Sequence, residues 1–188
     1  MTDRSWAHGH MTTLLAEDQG RMAHSLAVAS RASSLATDLL SDPEERSVLV
    51  AAALLHDIGY APSLVVTGCH HLDGACHLEG LGEHRLACLV AHHGSGAAEA
   101  ALRGLSDQFE DFPHEFSPIA DILTYCDLTS APNGGRVSVD ERLREIRARY
   151  GDGDVVVRGL AASDSLIRNA CTRVEGLIAS SSETALRR

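Results

Sequence analysis

The stretch Leu54-Leu55-His56-Asp57-Ile58-Gly59 decides the fold, because two adjacent side chains that can bind metal end an apolar run and a glycine follows directly. The preceding residues 48–53 are all apolar and predict a buried helix with His56 and Asp57 at its inner end. A buried carboxylate is costly without a partner. A cation is the natural partner for a carboxylate beside an imidazole, so the stretch predicts a buried metal site.

The segments on both sides of this stretch carry helical signals. Asp42-Pro43 begins the helix that ends near His56, since aspartate is a good N-cap and proline suits the first helical position. Other helices are expected at Thr12 to Glu17, Arg21 to Leu40, about His71 to Leu78, Glu83 to about His93, Ala97 to Leu105, Ser117 to about Leu128, Val139 to Tyr150 and Asp154 to about Ser180. Because no segment alternates apolar and polar residues as a strand does, the predicted fold is all-α.

Length, charge and cysteine content limit the class of protein. A chain of 188 residues with 44% hydrophobic content predicts one domain over residues 1–188. The net charge of -10, with all 16 basic residues arginine, argues against binding to duplex nucleic acid. The five cysteines are widely spaced and predict reduced thiols in a cytoplasmic protein. No apolar run is long enough to predict a membrane span, and nothing in the sequence selects an oligomeric state.

Several further side chains in the chain can bind metal. His24 shares a predicted helical face with Val28 and Leu35, a position that by itself is more typical of a core histidine. Asp121 and Asp127 compete as the last carboxylate, because six helical residues place them about 120° apart. The candidates are His24, His56, Asp57, His70 or His71, His92, His93 and one of those two aspartates.

This ordered set resembles the HD-domain metal-dependent phosphohydrolases, whose signature is a lone histidine, a His-Asp pair and a distant aspartate. The segment His70-His71-Leu72-Asp73-Gly74-Ala75 and the pair His92-His93 are similar to the H-x-x-x-G-A segment and histidine pair of members that hold two metal ions. The resemblance covers roughly residues 20–135. It implies an HD-domain helical bundle with its metal-site core at about 20–135 and C-terminal helices at about 138–180 packing on it.

The resemblance also implies the ligands. Asp57 bridges two divalent transition metal ions, with His24, His56 and Asp127 on one ion and His70, His92 and His93 on the other. His70 is preferred to His71 because it stands four residues before Gly74, and Asp127 is preferred because it precedes a Pro-Gly loop as the family's last ligand does. Imidazole and carboxylate ligands suit Mn, Fe, Ni or Zn.

The expected activity is hydrolysis of a phosphate monoester or diester of a small metabolite or nucleotide by a metal-activated hydroxide, with Asp57 as the catalytic residue. The alternative is a non-catalytic metal-binding HD sensor or interaction module. Many relatives carry a lysine where this chain has Tyr60. The candidates to orient the phosphate in place of that lysine are Arg31, Arg85 and Arg136.

Two narrower possibilities are disfavoured by the sequence. Cyclic dinucleotides are disfavoured as substrates because no G-Y-P segment follows the histidine pair. A structural zinc site built from Cys69, Cys76 and His77 is disfavoured because it lacks a C-x-x-C pair.

Overall fold

The computed structural model describes residues 4–131 and 133–186, with side chains through residue 183. Within these residues it contains eleven α-helices, one short 3-10 helix over Ile58–Tyr60 and no β-strand, which confirms the all-α fold. The α-helices are α1 (Arg4–Leu14), α2 (Gln19–Leu39), α3 (Pro43–Leu55), α4 (His70–Gly80), α5 (His84–His92), α6 (Gly96–Leu102), α7 (Ser106–Phe109), α8 (Pro118–Leu128), α9 (Val139–Tyr150), α10 (Val155–Ala162) and α11 (Asp164–Leu186).

Helix α3 lies at the centre of the bundle. Asp42 accepts a hydrogen bond from the Glu44 backbone N–H and Pro43 is the first helical residue, so the helix begins where the sequence predicted. All eight residues from Val48 to Leu55 are buried. A helix that is apolar on every side must be surrounded, and α3 packs against α1, α2, α5 and α8. Its C-terminal end therefore delivers His56 and Asp57 to the interior.

The 3-10 helix after α3 touches the start of α4. A Cβ atom at Gly59 would lie 1.9 Å from the His70 carbonyl oxygen and 2.6 Å from the Gly74 backbone nitrogen. Only glycine permits this approach of two backbones. The contact fixes the first turn of α4, and hence its histidines, beside the end of α3.

The predicted helix boundaries were wrong at both ends of the chain. The first helix is α1, Arg4–Leu14, in place of Thr12 to Glu17, and it buries Ala7 and Met11 in the core. The last predicted helix, Asp154 to about Ser180, is two helices that meet at Ser163. Helix α10 packs on α6 whereas α11 packs on α8 and α2, so the chain changes direction between two different partners.

No described helix combines the length and the apolarity that crossing a bilayer requires.

Candidate metal centre

Five helices bring the metal-capable side chains together. His24 comes from α2, His56 and Asp57 from the end of α3, His70 from the start of α4, His93 from the residue after α5 and Asp127 from the last turn of α8. The four histidines and Asp57 are buried, and the Asp127 side chain is 14% exposed. The structure thus places six of the seven predicted ligands around one point, although they span more than a hundred residues of sequence.

The two carboxylate oxygens of Asp57 face different histidines. Its Oδ2 lies 3.6 Å from the Nε2 of His56, while its Oδ1 lies 3.6 Å from the Nε2 of His70 and 4.0 Å from that of His93. On the first side, Asp127 Oδ1 lies 2.9 Å from the Nε2 of His24 and 3.7 Å from that of His56. Asp57 therefore stands between two groups of ligand atoms.

The backbone sets the orientation of two of the imidazoles. The Nδ1–H of His56 donates to the Ala53 carbonyl oxygen at 2.8 Å, and the Nδ1–H of His93 donates to that of Val90 at 2.6 Å. In a neutral ring this leaves the lone pair on Nε2, which points into the cluster. The Nε2 of His56 is fully buried and has no hydrogen-bond partner. A metal-binding site characteristically contains a buried lone pair to which no N–H or O–H group donates. These ligand atoms therefore fit a divalent cation.

The charge states in the cluster also suit a cation. Burial lowers the pKa of His70 and His71 well below the ordinary value for imidazole, so both rings are neutral donors near neutral pH. Burial alone would raise the pKa of Asp57, but His56 and the Arg21 guanidinium outweigh it and hold that pKa well below its usual range. Neutral imidazoles around an ionised carboxylate are the ligand forms that metal binding requires.

His92 lies outside the cluster, contrary to the expectation from the histidine pair. Its Nε2 is 2.6 Å from the Phe112 carbonyl oxygen, and its ring stacks on His114 with centroids 4.6 Å apart. Helix α5 ends at His92, and adjacent residues at a helix end point in different directions, so only His93 reaches the centre.

His71 occupies the place that His92 was expected to take. Its ligand atom lies within 4.8 Å of those of His70 and His93, and its side chain is 3% exposed. From the sequence, His70 and His71 are alternative ligands, and His70 is preferred. In the structure both rings lie in the first turn of α4 and face inward, with centroids 3.7 Å apart.

The remaining sequence candidates lie elsewhere. Asp121 is held by Arg173 of α11, with the closest contact at 2.6 Å, and so faces away from Asp127. Cys76 is exposed and His77 hydrogen-bonds His10 of α1 at 2.7 Å, so these residues do not join Cys69 in a zinc site. Cys69 instead lies near His71 and Glu99.

Glu99 of α6 is a buried carboxylate that the sequence did not single out. Its Oε1 accepts a hydrogen bond from the Nε–H of Arg103 at 2.9 Å, and its Oε2 lies 3.6 Å from the Nδ1 of His71 with no hydrogen-bond partner. Carboxylates in this position orient metal-binding histidines. Glu99 lies on a different helix from His71, so only the tertiary structure reveals the pair.

A cleft of ≈ 460 Å³, part of it open to solvent, leads to the cluster. Arg21 lines it, with Nη1 2.9 Å from Asp57 Oδ2 and its guanidinium carbon 3.3 Å from the centroid of the Tyr60 ring. Arginine stacked on tyrosine thus places a cation beside the position where relatives carry lysine. Arg21 stands three residues before His24 on α2, and this spacing was the signal that could have identified it.

The three arginines proposed from the sequence make other contacts. Arg31 donates to the Thr129 carbonyl oxygen at 2.6 Å. Arg85 is paired with Glu45 and Glu115, and Arg136 is exposed. None of the three is among the described residues that line the cleft. The cations at its mouth are instead Arg21 from α2 and Arg142 and Arg149 from α9.

The family model described as HD domain matches residues 21–131, which is more than half of the chain and includes every residue of the cluster. No curated protein and no solved structure matches. The matched stretch and the buried His-Asp cluster within it show that this chain belongs to the HD domain family.

Proposed function

We propose that this chain is a metal-dependent phosphohydrolase that cleaves a phosphate ester of a small metabolite or nucleotide. The HD superfamily consists mostly of metal-dependent hydrolases that bind divalent metals. The observation that carries the proposal is the position of Asp57, whose Oδ2 faces His56 while its Oδ1 faces His70 and His93. A carboxylate in that position can be shared by two cations.

The residues that would hold the cations form two sets, one on each side of Asp57. His24, His56 and Asp127 would complete one position, since Asp127 Oδ1 lies near both rings. His70, His71 and His93 would complete the other. These nitrogen and oxygen donors suit Mn, Fe, Ni or Zn. When bound, such ions supply Lewis acidity toward a phosphoryl oxygen and lower the pKa of water.

The chain's own side chains orient the ester. Arg21, supported by the Tyr60 ring and paired with Asp57, places a permanent positive charge at the mouth of the centre. Its guanidinium can donate to phosphoryl oxygens in the role that lysine has in relatives. In the hydrolysis a bond forms between phosphorus and a water oxygen, the ester P–O bond breaks, and the leaving oxygen takes up a proton.

The test is metal loading followed by a phosphatase assay. Wild-type protein loaded with Mn, Fe, Ni or Zn should hydrolyse phosphate esters, and Asp57→Ala should lose this turnover while remaining helical by circular dichroism. Asp121→Ala is the matched control, because Asp121 lies on α8 but outside the centre. Folded wild type that binds none of these metals, or Asp57→Ala with undiminished turnover, would refute the proposal.

A non-catalytic metal-binding sensor or interaction module is the second candidate. The pairs of Arg21 with Asp57 and His24 with Asp127 give each carboxylate a partner within the protein. These pairs would preserve the fold through cycles of metal binding and release, as a sensor needs. A screen of phosphorylated compounds against metal-loaded protein separates the two functions, because a sensor binds without turnover.

A further inference from the structure

We propose that Arg142 of α9 binds the terminal phosphoryl group of the substrate, at a subsite contributed from outside the matched HD stretch. The inference rests on the proposed function and assigns the substrate to a class, a phosphate monoester or the end phosphate of a longer chain. It also assigns α9 a role, since this helix begins eight residues after the family match ends at residue 131.

Arg142 is a buried cation with unused hydrogen-bonding capacity. It is 6% exposed, lines the cleft, and places Nη2 3.5 Å from the Nε2 of His24. Its Nε is buried and has no hydrogen-bond partner. A buried guanidinium with an unpaired N–H is unfavourable, so this position calls for an anion in the cleft.

Helix α9 is built to present this face. Ser138 and Glu141 form a capping box that fixes where the helix begins. Arg142, Ile146 and Arg149 are spaced four and three residues apart, which places them on one face of the helix. All three line the cleft. Buried Ile146 anchors the face and holds Arg142 over the centre. Thus a helix whose charge pattern is typical of a solvated surface buries one cation, Arg142, while Arg149 stays exposed at the edge of the cleft.

Among the described residues, Glu145 and His24 contact the Arg142 guanidinium, and neither reaches its Nε. Its Nη1 lies 2.5 Å from Glu145 Oε2, and the Glu145 side chain is 43% exposed. Solvent screens the Glu145 end of this pair, and the contact leaves the buried Nε of Arg142 without a partner. Asp57 and Asp127 are already paired with Arg21 and His24. A ligand anion would therefore satisfy the remaining N–H groups of the guanidinium. Phosphoryl oxygens have the spacing to accept two parallel hydrogen bonds from it.

The number of free oxygens distinguishes a terminal phosphate from a diester. A diester has two non-bridging oxygens, whereas a terminal phosphoryl group has three and carries more negative charge. The additional oxygen gives the Arg142 guanidinium a further acceptor. The cleft also gathers three guanidinium groups, from Arg21, Arg142 and Arg149, which favours the more highly charged group.

Calorimetric titration with inorganic phosphate tests the subsite on the protein as purified. We expect Arg142→Gln to weaken phosphate binding at least about tenfold, the loss of a charge-assisted hydrogen bond. Arg144→Gln, on the exposed side of the same helix, is the matched control and should bind as wild type does. Equal affinity of folded Arg142→Gln and wild type, or no phosphate binding by wild type, overturns the assignment.

A second variant keeps the test decisive if Arg142→Gln does not fold. Glu145→Gln removes the carboxylate that pairs with Arg142 and Arg149, and it should tighten phosphate binding about threefold because both guanidinium groups are then available to the anion. Unchanged or weaker binding counts against the subsite. Phosphate binding that depends on Arg142 without turnover of any ester supports the subsite and refutes the proposed hydrolase.

The substrate class is tested with phenyl phosphate and diphenyl phosphate as ligands. Wild type should prefer the monoester, and Arg142→Gln should reduce this preference about tenfold. Equal losses of affinity for both compounds in Arg142→Gln would overturn the assignment to a terminal phosphate.

Discussion

At the scale of single residues, the backbone at the end of α3 explains how neighbouring side chains serve one centre. His56 is still in helical conformation, with φ -56° and ψ -35°, while Asp57 leaves the helix with φ -102° and ψ 6°. The imidazole is then oriented by the Ala53 carbonyl group, and the carboxylate, paired with Arg21, lies between His56 and His70. A His-Asp dipeptide within a regular helix would direct its side chains about 100° apart.

The pair His92-His93 gives a residue-scale prediction. We expect His93→Ala to weaken metal binding by at least about 100-fold, more than the loss of a residue that only orients a ligand. His92→Ala, one position away, should bind metal as wild type does, because His92 contacts Phe112 and His114 instead. Metal content by mass spectrometry of the chelated and reloaded proteins decides the matter. Equal losses in both variants would contradict this placement.

At the scale of secondary-structure elements, the contact between the 3-10 helix and α4 positions half of the centre. Gly59 allows the chain after Asp57 to touch the backbone of α4, so His70 reaches across to the carboxylate and His71 lies beside it. The hydrogen bonds of Thr67 and Gly68 to Asp73 hold the preceding loop in place. The geometry of the second ligand group thus depends on packing between backbones as well as on its histidines.

Gly59→Ala tests this contact. The added methyl group would lie 1.9 Å from the His70 carbonyl oxygen, so we expect a loss of at least about 3 kcal/mol in the free energy of unfolding and weaker metal binding. Gly80→Ala is the control at the far end of α4, where a Cβ meets nothing within 4 Å and alanine favours the helix. Urea unfolding of both variants is the measurement, and similar stability of the two would contradict the close approach.

At the scale of the whole molecule, the buried histidines make stability depend on pH. Burial lowers the pKa of His70, His71 and His93 from the ordinary 6.5. The unfolded chain then binds more protons than the folded protein as the pH falls through 6.5 toward the folded pKa values. Stability of the metal-free protein should therefore decrease on acidification, with three such groups contributing up to about 4 kcal/mol per pH unit.

The measurement is urea unfolding of chelated protein between pH 8 and pH 5. His71→Gln should reduce the slope by about 1.4 kcal/mol per pH unit, the share of one histidine, whereas His8→Ala, at an exposed position, should leave it unchanged. Below the ordinary aspartate value of 3.8, the lowered pKa of Asp57 has the same sign, because protonation of that carboxylate favours the unfolded chain. Stability that is constant from pH 8 to pH 5 would contradict the neutral, buried state of the histidines.

Much of the architecture follows from local signals in the chain. The cap at Asp42-Pro43 predicted where α3 begins, because N-cap side chains act within one turn of their own helix. Ser117 and Ser138 cap α8 and α9 in the same way, close to the predicted starts of those helices. The break at Ser163 was not predictable in this way. It arises because α10 and α11 pack on different helices, and no local pattern records that.

The sequence by itself determined the all-α fold and the set of metal-capable residues, because helix caps, periodicity and residue chemistry are local properties. The tertiary structure decided which of those residues lie together, since His71 and His93 reach the centre whereas His92 does not. It also decided which other side chains, Arg21, Arg142 and Glu99, surround the centre. The physical reason is that a side chain's direction at a helix end, and its neighbours from other helices, depend on long-range packing.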